Sequence, residues 1–261
     1  MKIIFVRHGE PDYAKDSLTE NGWREAECLA GRISKWQVTD FYCSPLGRAK
    51  DTAAPTLKKM NREAVTLDWM REFSYLIDDP ITGRHGVPWD FVPSYWSGNP
   101  LMTTGTDWVD AEIMKQNPEI KSQFQNVCKN LDEFLASYGY IREQNFYLVP
   151  DMEERSIAQT VAPGNVRTID KLPDESDEPV IVIFCHLGIT CLVLSRLLNI
   201  PFPLLTHGFF LPPASITIVS SERRWGKEAY FRVQTMGDVH HLLVNGEPIS
   251  PAGSFATPFP G

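Results

Sequence analysis

The chain alternates between two kinds of apolar pattern. Residues 2–6 and 180–185 are short runs dominated by β-branched and aromatic side chains without polar alternation, as expected for strands buried on both faces. Other stretches carry helical spacing. Thr19 precedes a segment in which Trp23, Ala26, Ala30 and Ile33 fall on one helical face, which predicts a helix with Thr19 as N-cap. Residues 40–43 predict a further strand, after which Ser44 and Pro45 are expected to open a helix as N-cap and first helical residue. Residues 64–70 are a strand candidate that ends at Arg71 and Glu72. Residues 107–138 predict a helix broken near Pro118, with Phe124, Val127, Leu131, Phe134 and Leu135 on one face and Gly139 as C-cap. Residues 189–198 predict another helix, and 146–170, 215–220 and 230–234 read as extended chain.

Strand–helix alternation at both ends implies an α/β fold, a three-layer α/β/α arrangement around a mostly parallel central sheet. The middle departs from it. Residues 73–99 are rich in Pro, Gly, Trp and Tyr without periodicity and predict a long ordered loop. Residues 172–179 are acidic and bounded by prolines, which reads as a surface linker, and the chain beyond Asn245 is expected to run over the surface. The expectation is one domain over residues 1–261, with 73–178 inserted as a cap that sets substrate choice. Within the cap, Arg84, Trp89, Tyr95 and Trp96 would clasp a leaving group by charge and stacking; simple packing of the cap against the core is the alternative.

Composition narrows the function. With 261 residues, 43% of them hydrophobic and 11% aromatic, the chain can bury a sizeable core and is not a disordered segment. Its formal net charge of −8, with no segregated basic face, argues against a nucleic-acid partner. Five cysteines without a CxxC pair suggest neither a disulfide framework nor a zinc knuckle, and point to a cytoplasmic setting. The apolar run at the N-terminus is short for a secretory signal. The stretch 180–200 is interrupted by His186, Gly188 and Arg196, so it reads as strand, turn and helix rather than a membrane span.

In open α/β sheets ligands bind at the carboxyl ends of strands. By that rule His8, Ser44, Glu72 and His186, each just past a predicted strand, converge on one edge. Arg7-His8-Gly9 combines a planar fork matched to phosphate oxygens, a nucleophilic imidazole and a residue that lets backbone approach an anion. Taken alone, the tripeptide fits equally a strand-end histidine paired to a carboxylate. His85, His207 and the adjacent His240 and His241 have no chelating geometry at those spacings and read as loop or turn residues.

Several ordered segments together resemble the histidine phosphatase superfamily, the phosphoglycerate mutase-like family. These are Arg7-His8-Gly9-Glu10, Leu18-Thr19 with Gly22, Ser44-Pro45-Leu46-Gly47-Arg48-Ala49 with Thr52-Ala53, Glu72, His186 after its strand, and residues 237–242. The resemblance covers 1–72 and 179–245. It implies His8 as phosphoryl-accepting nucleophile, Arg7, Arg48 and His186 around the phosphoryl oxygens with Ser44 nearby, and Glu72 as the acid. Glu10 and Arg84 are further substrate-binding candidates. The implied activity is metal-independent hydrolysis of a small phosphate monoester, with no cofactor and no membrane partner. A phosphoglycerate-type phosphomutase, a binding module for a phosphorylated ligand and a His-ligated metallohydrolase are the alternatives. Two departures from the family pattern stand out. The second histidine is followed by Leu187 before Gly188, and the Asn and Trp-x-Asp elements of true mutases are missing, which favours hydrolysis over isomerisation.

Overall fold

The computed structural model describes residues 1–149, 178–223 and 227–259. The two apolar runs lie side by side at the middle of a sheet. β1 (Lys2–Arg7) is followed by α1 (Glu20–Ile33), β2 (Asp40–Cys43), α2 (Gly47–Met60) and β3 (Val65–Thr66). Then come α3 (Glu119–Ser137), β4 (Ile141–Glu143), β5 (Phe146–Leu148), β6 (Val180–Cys185) and α4 (Leu187–Leu198). α5 (Phe202–Gly208), β7 (Ile216–Arg223), β8 (Glu228–Asp238) and α6 (His240–Leu243) complete the series. Among the described residues the main sheet has eight strands in the order β3-β2-β6-β1-β7-β8-β5-β4. From β3 to β1 every pairing is parallel, and from β1 onward every pairing is antiparallel.

Period-two alternation along buried strands sends successive side chains to opposite faces. Ile3, Phe5, Ile181 and Ile183 enter one core with Phe124, Leu131 and Leu135 of α3 and Leu192 and Leu194 of α4. Ile4, Val6, Val182 and Phe184 enter the other with Leu29 and Ile33 of α1 and Ala49 and Ala53 of α2. Helices therefore cover both faces, as the sequence implied. The apolar stretch 180–200 divides into β6 and α4, and among the described residues no helix is long and apolar enough to cross a membrane.

Local departures have physical causes. Thr19 caps α1 by accepting from Gly22 N at 3.1 Å, but Trp23 is 40% exposed and the buried face instead includes Glu25 and Leu29. The helix expected to open at Ser44 begins instead at Gly47: the Ser44 hydroxyl accepts from Leu46 N at 3.3 Å, and the Gly47 N–H is met by Asp16 Oδ2 at 2.7 Å. The strand expected at 64–70 is confined to Val65–Thr66, and Asp68–Met70 is a 3₁₀ turn. Residues 107–138 break where Pro118 predicts, into 3₁₀ turns Asp107–Asp110 and Glu112–Gln116 followed by α3, with Gly139 at φ +84° just after its end. The central section supplies more than loop, since α3 packs into one core and β4 and β5 extend the sheet edge. The expected extended section 150–170 and the acidic run 172–177 lie outside the described residues.

Candidate active site

β1 delivers Arg7 and His8 at its carboxyl end. The His8 N–H donates to Cys185 O at 2.9 Å, and the His8 carbonyl accepts from Ala214 N at 3.0 Å, so the residue is pinned between β6 and the turn before β7. Its Nδ1 lies 2.7 Å from Gly9 O. A carbonyl can only accept, so Nδ1 carries the proton and Nε2 keeps its lone pair. Burial, followed by the positive charge of Arg7 and then Arg48, pushes the His8 pKa down to about 3, so the ring is neutral at pH 7. Gly9 permits this geometry: a Cβ there would meet Gly22 O at 2.8 Å, and its N–H donates to Thr52 Oγ1 at 2.9 Å.

His186 follows β6 and lies with its ring centroid 5.1 Å from that of His8. Its Nε2 is 2.7 Å from Ser44 Oγ. Burial, then His8, Arg48 and Arg7, hold its pKa well below the ordinary histidine value. Its Nδ1 is buried and has no partner among the described residues, and the same holds for Arg7 Nε and Arg48 Nε. These orphaned polar nitrogens on three converging side chains fit a site for an anion.

The two arginines are held differently. Arg48 Nη1 pairs with Asp16 Oδ1 at 2.6 Å. Asp16 also presses its carbonyl onto Gly47, where a Cβ would sit only 2.1 Å away. Arg7 is buried and hydrogen-bonds to main-chain carbonyls: Nη1 donates to Leu211 O at 2.5 Å and Nη2 to Ala252 O at 2.8 Å. Gly253, at φ +85°, is packed so closely that a Cβ would lie 2.9 Å from Arg7 Nη2. The C-terminal tail is thus part of the centre, which turn-forming residues alone could not announce.

Glu72 reaches the same edge by capping α4. Oε1 accepts from Phe73 N at 2.8 Å and Ile189 N at 2.9 Å, and Oε2 accepts from Gly188 N at 3.3 Å. The glycine displaced by Leu187 is what makes room, since a Cβ at Gly188 would meet Glu72 Oε1 at 2.8 Å. A carboxylate has about four lone-pair positions, so this arrangement leaves one on Oε2.

The structure therefore brings together His8, Arg7, Arg48, Ser44, Glu72 and His186. Glu10 is placed otherwise: Oε1 accepts from Thr19 Oγ1 at 2.8 Å and its N–H donates to the buried Glu25 at 2.6 Å, so it ties the His8 loop to α1. Arg84 lies in an exposed hairpin, where its charge acts on Asp90. The aromatic residues near it pack among themselves and on α5. Trp89 stacks on Phe73 at 5.6 Å and Trp96 lies on His207 at 4.3 Å. Asp16, Glu25, Arg71 and Ala252 were not legible as neighbours of this centre from the sequence.

A neutral imidazole with a free lone pair between two guanidinium groups suits attack on the electrophilic centre of an anion. Comparison with known proteins identifies the family. Residues 3–82 match the model of the histidine phosphatase superfamily (branch 1). A 2,3-bisphosphoglycerate-dependent phosphoglycerate mutase from Thermoplasma acidophilum is 38% identical over 183 residues, spanning 65% of this chain and 88% of that protein. Among solved structures, a mycobacterial glucosyl-3-phosphoglycerate phosphatase matches with TM-score 0.53 and 18% identity, covering 90% of this chain and 98% of that one. A phosphoserine phosphatase from Entamoeba histolytica, bound to phosphoserine, matches with TM-score 0.54 and 17% identity, covering 92% and 98%. These likenesses extend the shared fold well beyond the motif-bearing ends. The chain belongs to the histidine phosphatase superfamily.

Proposed function

We propose that the protein is a metal-independent phosphatase that hydrolyses a small phosphate monoester through a phosphohistidine on His8. The observation that carries this reading is the His8 Nδ1 bond to Gly9 O at 2.7 Å, which leaves Nε2 as a neutral nucleophile beside Arg7 and Arg48. In the first step the Nε2 lone pair forms an N–P bond while the P–O bond to the leaving alcohol breaks. Glu72, protonated on the free lone pair of Oε2, gives its proton to that oxygen. The phosphorylated imidazole gains positive charge, which the Gly9 carbonyl accepts through Nδ1–H. In the second step water attacks phosphorus, Glu72 takes its proton back, and the N–P bond breaks to restore His8. Arg7 Nε, Arg48 Nε and His186 Nδ1 are the groups that would face the phosphoryl oxygens. An arginine about 4 Å from a charged oxygen contributes on the order of 4 kcal/mol in a partly screened site, enough to gather a dianion despite the net negative protein.

A mutase reading is favoured by the Thermoplasma relative, whose name specifies a bisphosphoglycerate-dependent reaction. The two readings share the first step and differ in whether water or a second alcohol takes the phosphoryl group from His8. Incubation with 3-phosphoglycerate, with and without 2,3-bisphosphoglycerate, separates them. Release of inorganic phosphate without isomer supports hydrolysis, whereas isomer formation dependent on the bisphosphate supports the mutase. Among the described residues no three His, Cys, Asp or Glu side chains are grouped as metal ligands. Turnover of an aryl phosphate is accordingly expected to survive prolonged EDTA treatment, and loss restored by a divalent ion would favour a metallohydrolase.

A further inference from the structure

Beside the phosphoryl centre, a cavity of about 530 Å³ opens between the segment after β3 and one side of α3. Its size falls within the roughly 300–1,000 Å³ of small-molecule sites. Glu72, the residue assigned to protonate the leaving oxygen, is the member of the centre that lines it. Arg71 lines it too and adds a cationic group to the wall.

The rest of the lining has a definite chemistry. Gln123, Asn126 and Asn130 recur at helical spacing along α3 and present carboxamides, and Asp68 adds a carboxylate acceptor. Asn130 Nδ2 donates to Asn126 Oδ1 at 3.0 Å, which orients the Asn126 amide. Trp69 and Tyr75 supply aromatic faces. Trp69 is braced by Phe134 at 6.0 Å between ring centroids and Tyr75 by Phe73 at 5.0 Å. Neutral amides, one acidic acceptor and two braced rings match an alcohol that carries many hydroxyl groups on a carbon frame. Hydroxyls would pair with the amides and Asp68, and C–H surface would cover the rings. An apolar or simple aryl leaving group would make none of these hydrogen bonds, so it would gain less from the cavity than a hydroxyl-rich alcohol does.

We infer that this cavity holds the leaving alcohol, and that the protein prefers phosphate esters of polyhydroxylated alcohols, sugars or polyols, with Gln123, Asn126 and Asp68 as specificity-determining residues. The inference rests on the phosphatase reading of the same site. The test compares kcat/KM for a panel of hexose, pentose and glycerol phosphates with that for p-nitrophenyl phosphate, in the full chain and in Asp68→Ala, Gln123→Leu and Asn126→Leu. Calorimetric titration of the same sugar phosphates into His8→Ala, with and without Gln123→Leu, runs alongside. The expected result is that a hydroxyl-rich ester is the best substrate. Each cavity variant should then lower kcat/KM for that ester by about 10–200-fold, with aryl phosphate turnover changed less than about twofold. Equal losses for both substrates, or a wild-type chain that turns over aryl phosphate but no sugar phosphate, would overturn the cavity assignment and leave the phosphatase reading standing. Gln123-dependent binding of a sugar phosphate to His8→Ala without turnover by the wild-type chain would do the reverse. Neither binding nor turnover would sink both.

Discussion

The phosphoryl centre and the cavity beside it share Glu72 but are built on opposite principles. In the centre, His8, His186 and Ser44 are at most 2% exposed, and main-chain groups hold His8, Arg7 and Glu72. In the cavity, Asp68, Arg71 and Asn126 are exposed, and the carboxamides of Gln123, Asn126 and Asn130 sit on side chains along α3. Backbone contacts cost little entropy to maintain, so they suit a fixed chemical step. Side chains on a helix face can be exchanged without touching the sheet, so they suit the choice of reactant. In the proposed reading, one region sets the reaction and the other sets what enters it.

That contrast breaks most completely at His8. His8→Ala is expected to lower turnover of every phosphate ester by about 10⁴-fold or more, because it removes the Nε2 lone pair assigned to attack phosphorus. Retention of full activity for any ester would place the chemistry elsewhere.

Glu72→Gln sharpens the comparison, since Glu72 belongs to both regions. Loss of the transferable proton is expected to cost about 10²–10⁴-fold in kcat for an alkyl ester. The loss should be much smaller for p-nitrophenyl phosphate, whose leaving group needs no proton. Equal losses for both esters would mean that Glu72 serves as the cap of α4 and not as the acid.

A smaller effect is expected at Gly253→Ala, far along the chain from His8. The new methyl would push against Arg7 Nη2 from a backbone at φ +85°, tilting the guanidinium away from the phosphoryl position. A fall in kcat/KM of about 10–100-fold, alike for sugar and aryl phosphates, would assign the tail to the centre. A change confined to one substrate would assign it to selection instead.

The smallest effect is one of stability and pH. Burial raises the Glu25 carboxyl to about 7, so the folded protein binds a proton that the unfolded chain releases between about 4.5 and 7. Its contribution to stability is present at low pH and is lost as pH rises through 7. Glu25→Gln keeps an acceptor for Glu10 N and removes that loss. It is expected to stabilise the fold by on the order of 2 kcal/mol at pH 8 and by almost nothing at pH 4, read as the difference in Tm at each pH. A pH-independent difference would mean that Glu25 ionises freely.

The centre was more legible than its surroundings, for a physical reason. His8, Ser44, Glu72 and His186 each follow a strand or strand candidate, and a parallel sheet carries such positions to one edge whatever the loops do. The contacts that hold them were hidden because they join distant segments. Arg7 meets Ala252 across 245 positions, and Glu72 meets Ile189 across 117. Helical spacing put Trp23 on a buried face where Glu25 is buried instead, because the loop at Glu10 offers a backbone N–H that only an acceptor can satisfy. Ser44 looked like a helix cap because its hydroxyl suits that role. It does accept from Leu46 N, but it also bonds His186, 142 residues away. The antiparallel half of the sheet follows from the β7–β8 hairpin, whose strands were legible although their pairing was not.

The central claim is that a phosphoryl group rests on His8 Nε2 during turnover. It is tested most directly by mixing the protein with labelled substrate, quenching within one turnover and mapping the label. The account predicts an alkali-stable, acid-labile adduct on the peptide containing His8, formed and discharged at rates that match kcat. An adduct on another residue, or product release with no enzyme-bound phosphoryl group at any time point, would contradict it.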